Sequence, residues 1–369
     1  MKVFPLSKYS LLKKIGAYAA EQNVRLYAVG GCVRDWLLGI RSKDVDLAGS
    51  GDIKKIAQFI EKEYTSSVEE FPSFFTHRCF LGNGERMDIA HLRKEAYPSA
   101  ASLPVTEKTR KIEEDLVRRD FSCNAMAVDI SGNFGEVIDI FNGVRDIKMK
   151  KLKILHERSF RDDPTRIFRA ARFCARFNWR LEKKTSALMK SAVNDGFVSL
   201  LSGERVKNEL FVIFKEEKPE RALNLLKKYG VAKSIGLEIL SGLPKSSPEM
   251  RFAYFICKSR DAEKWIKFFG FKRSFAVSLK RVVNLLRLKR SPLVELSNFE
   301  KKLLSFLLPA KKQSAFQKVF VGGTDIKEFQ INEGKKIGKI ISEAAALQWK
   351  GHLGDKKEAK KWLKKKIGK

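Results

Sequence analysis

The sequence predicts an α+β head, a mixed sheet with helices on one face, followed by an all-α remainder. Three observations carry that expectation. Short apolar runs that alternate with polar residues or stop at glycine crowd the first 140 residues. Beyond residue 150 the apolar residues recur at helical spacing, and strand signals nearly vanish. Hydrophobic residues make up 44% of the chain, 27 of them Phe, which is too apolar for a disordered basic tail.

Taken in order, an amphipathic helix is expected over Tyr9 to Gln22, then a strand at Leu26 to Val29 that ends in the Gly30-Gly31 turn, and a helix from Val33 to Leu38. Further strands are expected at Val45 to Ala48, Phe74 to Leu81, Met87 to His91 and Met126 to Ile130, with a helix over Asp52 to Glu63. One half-covered sheet accounts for them. Leu92 to Lys111 holds Pro98 and Pro104 without periodicity and reads as a long loop. Helices follow at Pro164 to Phe177, Glu204 to Phe214, Glu220 to Lys228 and Ala276 to Leu288. The Lys-rich end, KKEAKKWLKKKIGK, reads as a solvated helix or a frayed tail. This divides the chain into a head (1–140), a neck (141–215) and a helical body with a basic tail (216–369).

The chain carries 74 basic and 43 acidic side chains, a net charge of +31 on 369 residues, which favours a polyanionic partner. No apolar run reaches about 18 residues, and MKVFPLSKYSLLKKIG lacks the apolar stretch of a secretory signal. A soluble, cytoplasmic protein is expected, with no membrane and no obligate protein partner. Five scattered cysteines form no CxxC pair and only four histidines are present, so any metal is expected on carboxylates.

Two glycines after a strand, Gly30 and Gly31, let the backbone approach a phosphate closely. On the next strand Asp44 and Asp46 are two apart and therefore emerge on one face. Paired carboxylates suit Mg²⁺, which takes oxygen ligands and is commonly shared with substrate phosphates. Asp88, in Arg86-Met-Asp-Ile-Ala, is the candidate third carboxylate. Together these residues fit a two-metal, in-line phosphoryl transfer that yields a phosphodiester.

The order of these residues carries a resemblance. GGCVRDWLLG followed by KDVDL resembles the signature of the polymerase-β-like nucleotidyltransferases, in the branch of the tRNA CCA-adding enzymes and the bacterial poly(A) polymerases. Glu114-Asp-Leu-Val-Arg118-Arg119-Asp120-Phe121-Ser-Cys-Asn124-Ala-Met126 resembles its RRDFTINAM motif, and Asp162-Asp163-Pro-Thr-Arg166 its (E/D)DxxR motif. Ser202-Gly-Glu204-Arg205 to Leu210 is similar to the supporting helix, and Gly323-Thr-Asp325 to Gly338 to a tail segment. Ser122-Cys123 replaces the usual Thr-Ile, and Thr165 a common Leu. Asp46-Leu-Ala-Gly-Ser-Gly-Asp52 and the segment from Arg93 to Val105 look more like a subgroup that contains enzymes adding only the terminal A.

The resemblance implies that Asp120 distinguishes ribose from deoxyribose and that Arg119 and Asn124 contact the nucleotide. Asp163 and Arg166, read as i and i+3 on one helix face, present an acceptor and a donor fork that match the Watson–Crick edges of C and A. The resemblance gives them the same role, selecting CTP and ATP. Arg169 and Arg172 continue on an adjacent strip of that helix, where a solvated face and contact with triphosphate or primer are both open readings, and Arg34 joins the arginines expected to handle nucleotide. The expected partner is tRNA, held by the basic body through shape and charge. Addition of CCA and addition of A alone both remain open; a poly(A) polymerase and an inactive RNA-binding protein are the competing readings. Intact Asp44, Asp46, Asp163 and Arg166 count against inactivity. The modest length and the absence of a long Arg-rich C-terminal extension favour the tRNA enzyme.

Overall fold

The computed structural model describes residues 10–42, 44–82, 84–238, 242–287, 296–308, 319–331, 334–349 and 351–367. Tyr9, Lys43, Leu288, residues 332–333 of the tail segment and residues 368–369 lie outside the described residues. These residues divide, at 201/202, 220/221 and 236/237, into two compact units. Among the described residues no helix is long and apolar enough to cross a membrane.

The first unit begins with α1 (Ser10–Glu21), β1 (Arg25–Val29), α2 (Gly31–Leu37), β2 (Asp44–Ser50), α3 (Ile53–Tyr64), β3 (Thr65–Phe71), β4 (Thr76–Leu81) and β5 (Arg86–His91). It continues through β6 (Arg93–Ala96), β7 (Val105–Lys108), α4 (Ile112–Val117), β8 (Ala127–Asp129) and β9 (Val137–Ile138). Seven strands form one sheet in the order β3-β4-β5-β2-β1-β8-β9. Only β2 and β5 run parallel within it, with α3, β3 and β4 between them in the chain, so the sheet is mixed as expected.

Strand alternation sorts the side chains. Leu26 shares a face with Gly49 and Ile53, where a methyl on Gly49 would meet both neighbours within 3.2 Å. On this side α1 and α3 bury Ile15, Ile56 and Ile60. Tyr27, Val29, Ala48 and Ala127 point to the other face and pack with Leu92, Ile112 and Leu116, so the short α4 covers part of it.

The expected loop over Leu92 to Lys111 is in fact a β6–β7 ribbon, a correction with a clear cause. Its strands are built from charge instead of an apolar stripe: Lys94 sits opposite Glu107 and pairs with it at 2.8 Å. The polar edge strand β3 was missed for the same reason, and β4 starts at Thr76 because Pro72–Phe74 turns as a 3₁₀ helix before Phe75 takes a left-handed conformation.

After α5 (Gly143–Lys148), β10 (Lys151–Leu152), α6 (Ser159–Asp162), α7 (Thr165–Phe177), β11 (Arg180–Leu181) and α8 (Lys183–Asn194), the chain is helical. It passes through α9 (Gly203–Phe214), α10 (Pro219–Lys228), α11 (Val231–Ile235), α12 (Pro248–Lys258), α13 (Ala262–Phe268), α14 (Arg273–Arg287) and α15 (Asn298–Leu307). The last elements are α16 (Gly323–Lys327), α17 (Gly334–Trp349) and α18 (Lys356–Ile367). Serines start three of these helices: Ser202, Ser247 and Ser297 accept from backbone NH groups three residues on, and Ser297 with Glu300 forms a capping box. In the second unit, ring contacts link Phe214, Phe252, Phe269, Phe271, Phe275 and Phe299. A separate cluster of Val321, Ile326, Ala344, Leu353, Ala359 and Leu363 holds α16, α17 and α18 together.

A methyl on Gly16 would lie 1.8 Å from the Ile130 carbonyl oxygen, so α1 sits directly on backbone at the end of β8. Gly16→Ala is expected to destabilise the head by about 1–3 kcal/mol or more in urea unfolding. Gly82→Ala, where nothing lies within 4 Å, is the matched control and should leave the midpoint in place. Equal midpoints for both variants would refute this packing.

Candidate active site

Parallel pairing of β2 with β5 sets Asp46 opposite Asp88 and Asp44 opposite Arg86. Asp44 is exposed and Asp46 half-buried, on the same face of β2. Arg78 donates to both oxygens of Asp88 at 3.0 Å, and Arg86 lies between carboxylates, 3.4 Å from Asp44 and 3.7 Å from Asp88. Burial pushes the Asp46 carboxyl up from the usual range; Arg119 offsets this in part, while Asp88 and Asp44 add to it. A cation between Asp44 and Asp46 would relieve that strain between like charges, so the donor set fits a hard divalent ion. Among the described residues no group of three or more His, Cys, Asp or Glu side chains is placed to hold one ion, and Asp88 is engaged by Arg78.

The chain enters α2 through Gly30, whose φ of +78° is a left-handed value that glycine adopts without strain. The same glycine makes room: a Cβ there would stand 2.6 Å from Nη1 of Arg119. Arg34 is buried beneath this turn, donating to Asp35 at 2.7 and 2.9 Å and to Asn124 Oδ1 at 2.6 Å, with the rings of Phe173 and Phe177 about its guanidinium. Arg34 thus braces the turn from below.

From Arg34 a continuous network leads to α7. Asn124 donates its amide to Asp120 Oδ1 at 2.9 Å, and Arg169 grips Asp120 Oδ2 through Nε at 2.8 Å and Nη2 at 2.6 Å. Burial alone would raise the Asp120 carboxyl, but Arg169, with the Asn124 amide, outweighs it and holds it at about 2. Neighbouring Arg118 and Arg119 diverge. Both bind the fully buried Asp115, Arg118 at Oδ1 and Arg119 at Oδ2, and Arg118 also donates to Glu95 at 2.9 Å. The two arginines therefore serve different neighbours: Arg118 is committed to Asp115 and Glu95, while Arg119 reaches Gly30 and leaves Nε as a buried donor with no hydrogen-bond partner.

Asp163 and Arg166 are adjacent but do not share a helix face, a second correction. Asp163 is extended and precedes the helix, since Pro164 fixes the chain at its start. Its Oδ1 accepts from the backbone NH and hydroxyl of Thr165 at 3.1 and 2.6 Å, and its Oδ2 lies 3.9 Å from Arg166 Nε. Arg166, 3% exposed, donates to Ser159 Oγ at 2.7 Å and to the Arg118 carbonyl at 2.9 Å. Arg166 also borders a cavity of 520 Å³ lined with Tyr97, Glu95, His156 and Asp162. Arg172 is buried against the Phe173 ring at 4.4 Å.

The structure thus gathers the predicted residues into three linked groups: the carboxylates of β2 and β5, the network from Arg34 to Arg169, and Asp163 with Arg166. Sequence reasoning missed Asp115, Glu95, Tyr97 and Ser159. Asp115 had a visible signal, since it precedes Arg118 and Arg119 by three and four residues on α4. Glu95 and Tyr97 lay in the segment from Arg93 to Val105 that the resemblance had singled out, without a role of their own, and Ser159 had no signal, being brought in by α6.

Strand-borne carboxylates beside a glycine turn sit in a chain that shares the fold of the CCA-adding enzymes. Residues 26–153 match the poly(A) polymerase head domain, and residues 178–240 match the probable RNA- and SrmB-binding site of polymerase A. These two stretches thus carry the head and RNA-binding domains of the poly(A) polymerase family, and the proteins the chain resembles include tRNA nucleotidyltransferases. The A-adding tRNA nucleotidyltransferase of Geobacter sulfurreducens is 35% identical over 232 residues, 63% of this chain and 26% of that protein. That of Aquifex aeolicus is 38% identical over 213 residues, 58% of this chain and 26% of its own length. The chain therefore spans about a quarter of the length of these relatives. Among solved structures, a CCA-adding enzyme in an apo form matches with a TM-score of 0.72 at 27% identity, covering 99% of this chain and 100% of that one. A CCA-adding enzyme in complex with ATP gives 0.70 at 26% identity over 98% and 96%.

The folded-state value of Asp120 lies below its ordinary 3.8, so its charged form stabilises the fold above pH 3.8 and that contribution is lost as pH falls through about 2. Asp120→Asn is expected to cost about 2 kcal/mol of unfolding free energy near neutral pH. The gap from wild type should close as pH falls across that window in urea unfolding. A gap that stays constant down to about pH 2 would refute the assignment.

Proposed function

We propose that this chain is a tRNA nucleotidyltransferase that adds the terminal A, or the whole CCA, to tRNA 3′ ends from ATP and CTP without a nucleic-acid template. One observation carries the reading: Asp44 and Asp46 share a face of β2 beside the Gly30 turn and the Arg119 guanidinium. In this reading residues 1–140 are the catalytic head, 141–215 the neck with the selecting residues, and 216–369 hold RNA. Both A-adding relatives and the CCA-adding structure with ATP support this choice, and the reading implies a cytoplasmic location.

In the proposed reaction the primer 3′-oxygen bonds to the α-phosphorus while the bond to the pyrophosphate oxygen breaks, and the hydroxyl proton leaves to solvent. Mg²⁺ held by Asp44 and Asp46 would lower the pKa of that hydroxyl and offset charge on the phosphates, the two-metal form of the family's divalent-ion chemistry. Asp88 would act on the same strand pair by holding Arg78 and Arg86 in place. Gly30 and Gly31 admit the triphosphate close to backbone, and the buried Nε of Arg119 is a donor available to its oxygens. Asp120 stays charged and accepts from a ribose hydroxyl, with Asn124 orienting it and Arg169 balancing it. Asp163 accepts from the exocyclic amine of C or A and Arg166 donates to the ring, while Arg172 adds positive potential from within α7.

Asp46→Asn is expected to lower incorporation of labelled ATP into a CC-ended tRNA by about a hundredfold or more while tRNA binding persists. Undiminished turnover would sink the metal assignment. Arg166→Ala should relax the choice among the four nucleotides in the same assay. Extension of only the CC-ended tRNA identifies A addition, extension of a tRNA lacking all three nucleotides identifies CCA addition, and long adenylate tails on arbitrary RNA identify the polymerase. Affinity for tRNA should fall steeply with salt, whereas a flat response would show that the excess positive charge is not the binding surface.

A further inference from the structure

The corner between α13 and α14 presents aromatic rings among cations, and the one carboxylate on α13, Glu263, is paired with Arg287 at the far end of α14. From Lys264 to Arg281 the sequence carries Lys264, Lys267, Lys272, Arg273, Lys280 and Arg281 and no carboxylate. Lys264, Lys267, Lys272 and Arg273 are exposed, and none of these four has a carboxylate partner among the described residues. Phe268 is 39% exposed although it is a large apolar ring. It is not loose: Trp265 and Phe269 meet it edge-on at 5.5 and 5.4 Å and fix its orientation. Both neighbours are buried, so the corner rests on a rigid base. Lys264 lies over the Trp265 ring at 5.3 Å and Lys207 over the Phe271 ring at 5.9 Å, which spaces cations between the aromatic faces. Across the corner Val277 is 56% exposed on α14.

We propose that this corner is a stacking platform for unpaired RNA bases, with Phe268 receiving a base and Lys264, Lys267, Lys272 and Arg273 contacting the flanking phosphates. The inference rests on the reading of the chain as an RNA-modifying protein and assigns that partner a second, separate contact. A held aromatic ring accepts any base face, and cations at its edge follow the backbone, which is the chemistry of single-stranded RNA recognition. A duplex offers its phosphates to the same cations but keeps its bases stacked on one another, so it cannot use Phe268.

The test titrates the full chain with a short labelled single-stranded oligouridylate and with an RNA duplex of equal length, across a range of salt. Phe268→Leu keeps the apolar bulk and removes the ring; it should weaken single-strand binding about tenfold, leave duplex binding unchanged and preserve the salt slope. Phe268→Tyr should bind as wild type. Lys267→Ala combined with Lys272→Ala should reduce the salt slope by about 2 for both RNAs. Unchanged single-strand affinity in Phe268→Leu, or equal loss on both RNAs, overturns the platform, and if tRNA extension persists the transferase reading stands without it. Selective loss in Phe268→Leu from a wild type that binds RNA but extends no tRNA establishes the platform and counts against the transferase reading.

Discussion

Asp115 is a carboxylate with no access to solvent, and the geometry of the candidate site depends on how its two oxygens are shared. Ile112 and Leu116 sink α4 into the core against Tyr27 and Val29, which fixes Asp115 between them. Burial by itself would push its carboxyl up; Arg119 and Arg118 reverse this and hold it below the usual range. Each arginine is oriented by the oxygen it takes. Arg119 is turned toward Gly30, and Arg118 toward Glu95 on the ribbon, which leaves the Arg118 carbonyl to accept from Arg166. One buried acid therefore sets the positions of Arg119 beside the carboxylates and of Arg166 at the start of α7. Removing one member of such a group leaves uncompensated charge in the interior, at a cost of about 3–5 kcal/mol.

Much of this was legible because the relevant rules are local. Alternation along β2 is enough to put Asp44 and Asp46 on one face, and the glycines at 30 and 31 announce a turn without any knowledge of what lies across it. What lay across it was not legible. Arg34 looks on paper like a phosphate ligand, yet Asn124 and Phe173, remote in sequence, enclose it. Asp163 has helical spacing to Arg166, but Pro164 holds it outside the helix, where it caps Thr165. The ribbon was not legible because its strands are joined by Lys94 with Glu107, while Arg93 pairs with Glu95 along β6, instead of burying an apolar stripe. In each case tertiary contact overrode a local pattern, and the residues affected are the charged ones, whose environment is decided by partners far along the chain.

The basic excess is likewise distributed by structure. In the head and neck many arginines are locked against Asp35, Asp88, Asp115 and Asp120, and contribute little free positive field. Lysines dominate the exposed surface of the later helices, including the row of Lys356, Lys357, Lys360, Lys361 and Lys364 along α18. Arginine serves geometry here and lysine serves potential, which follows from the rigid fork of one and the flexible, hydrated ammonium of the other.

The cysteines belong to the same interior. Cys32, Cys79, Cys123, Cys174 and Cys257 are all buried and free of disulfides, and Cys32 is packed under the β2 strand with its sulfur 3.8 Å from the Asp46 carbonyl. Burial pushes the thiols of Cys32, Cys79, Cys174 and Cys257 up to about 12, and that of Cys123 higher still. Thiolates are the reactive form, so at neutral pH the native chain is nearly inert toward alkylating reagents. A single cysteine engineered onto any exposed helix would be the one site a maleimide dye labels, leaving the interior thiols as a silent background for distance measurements.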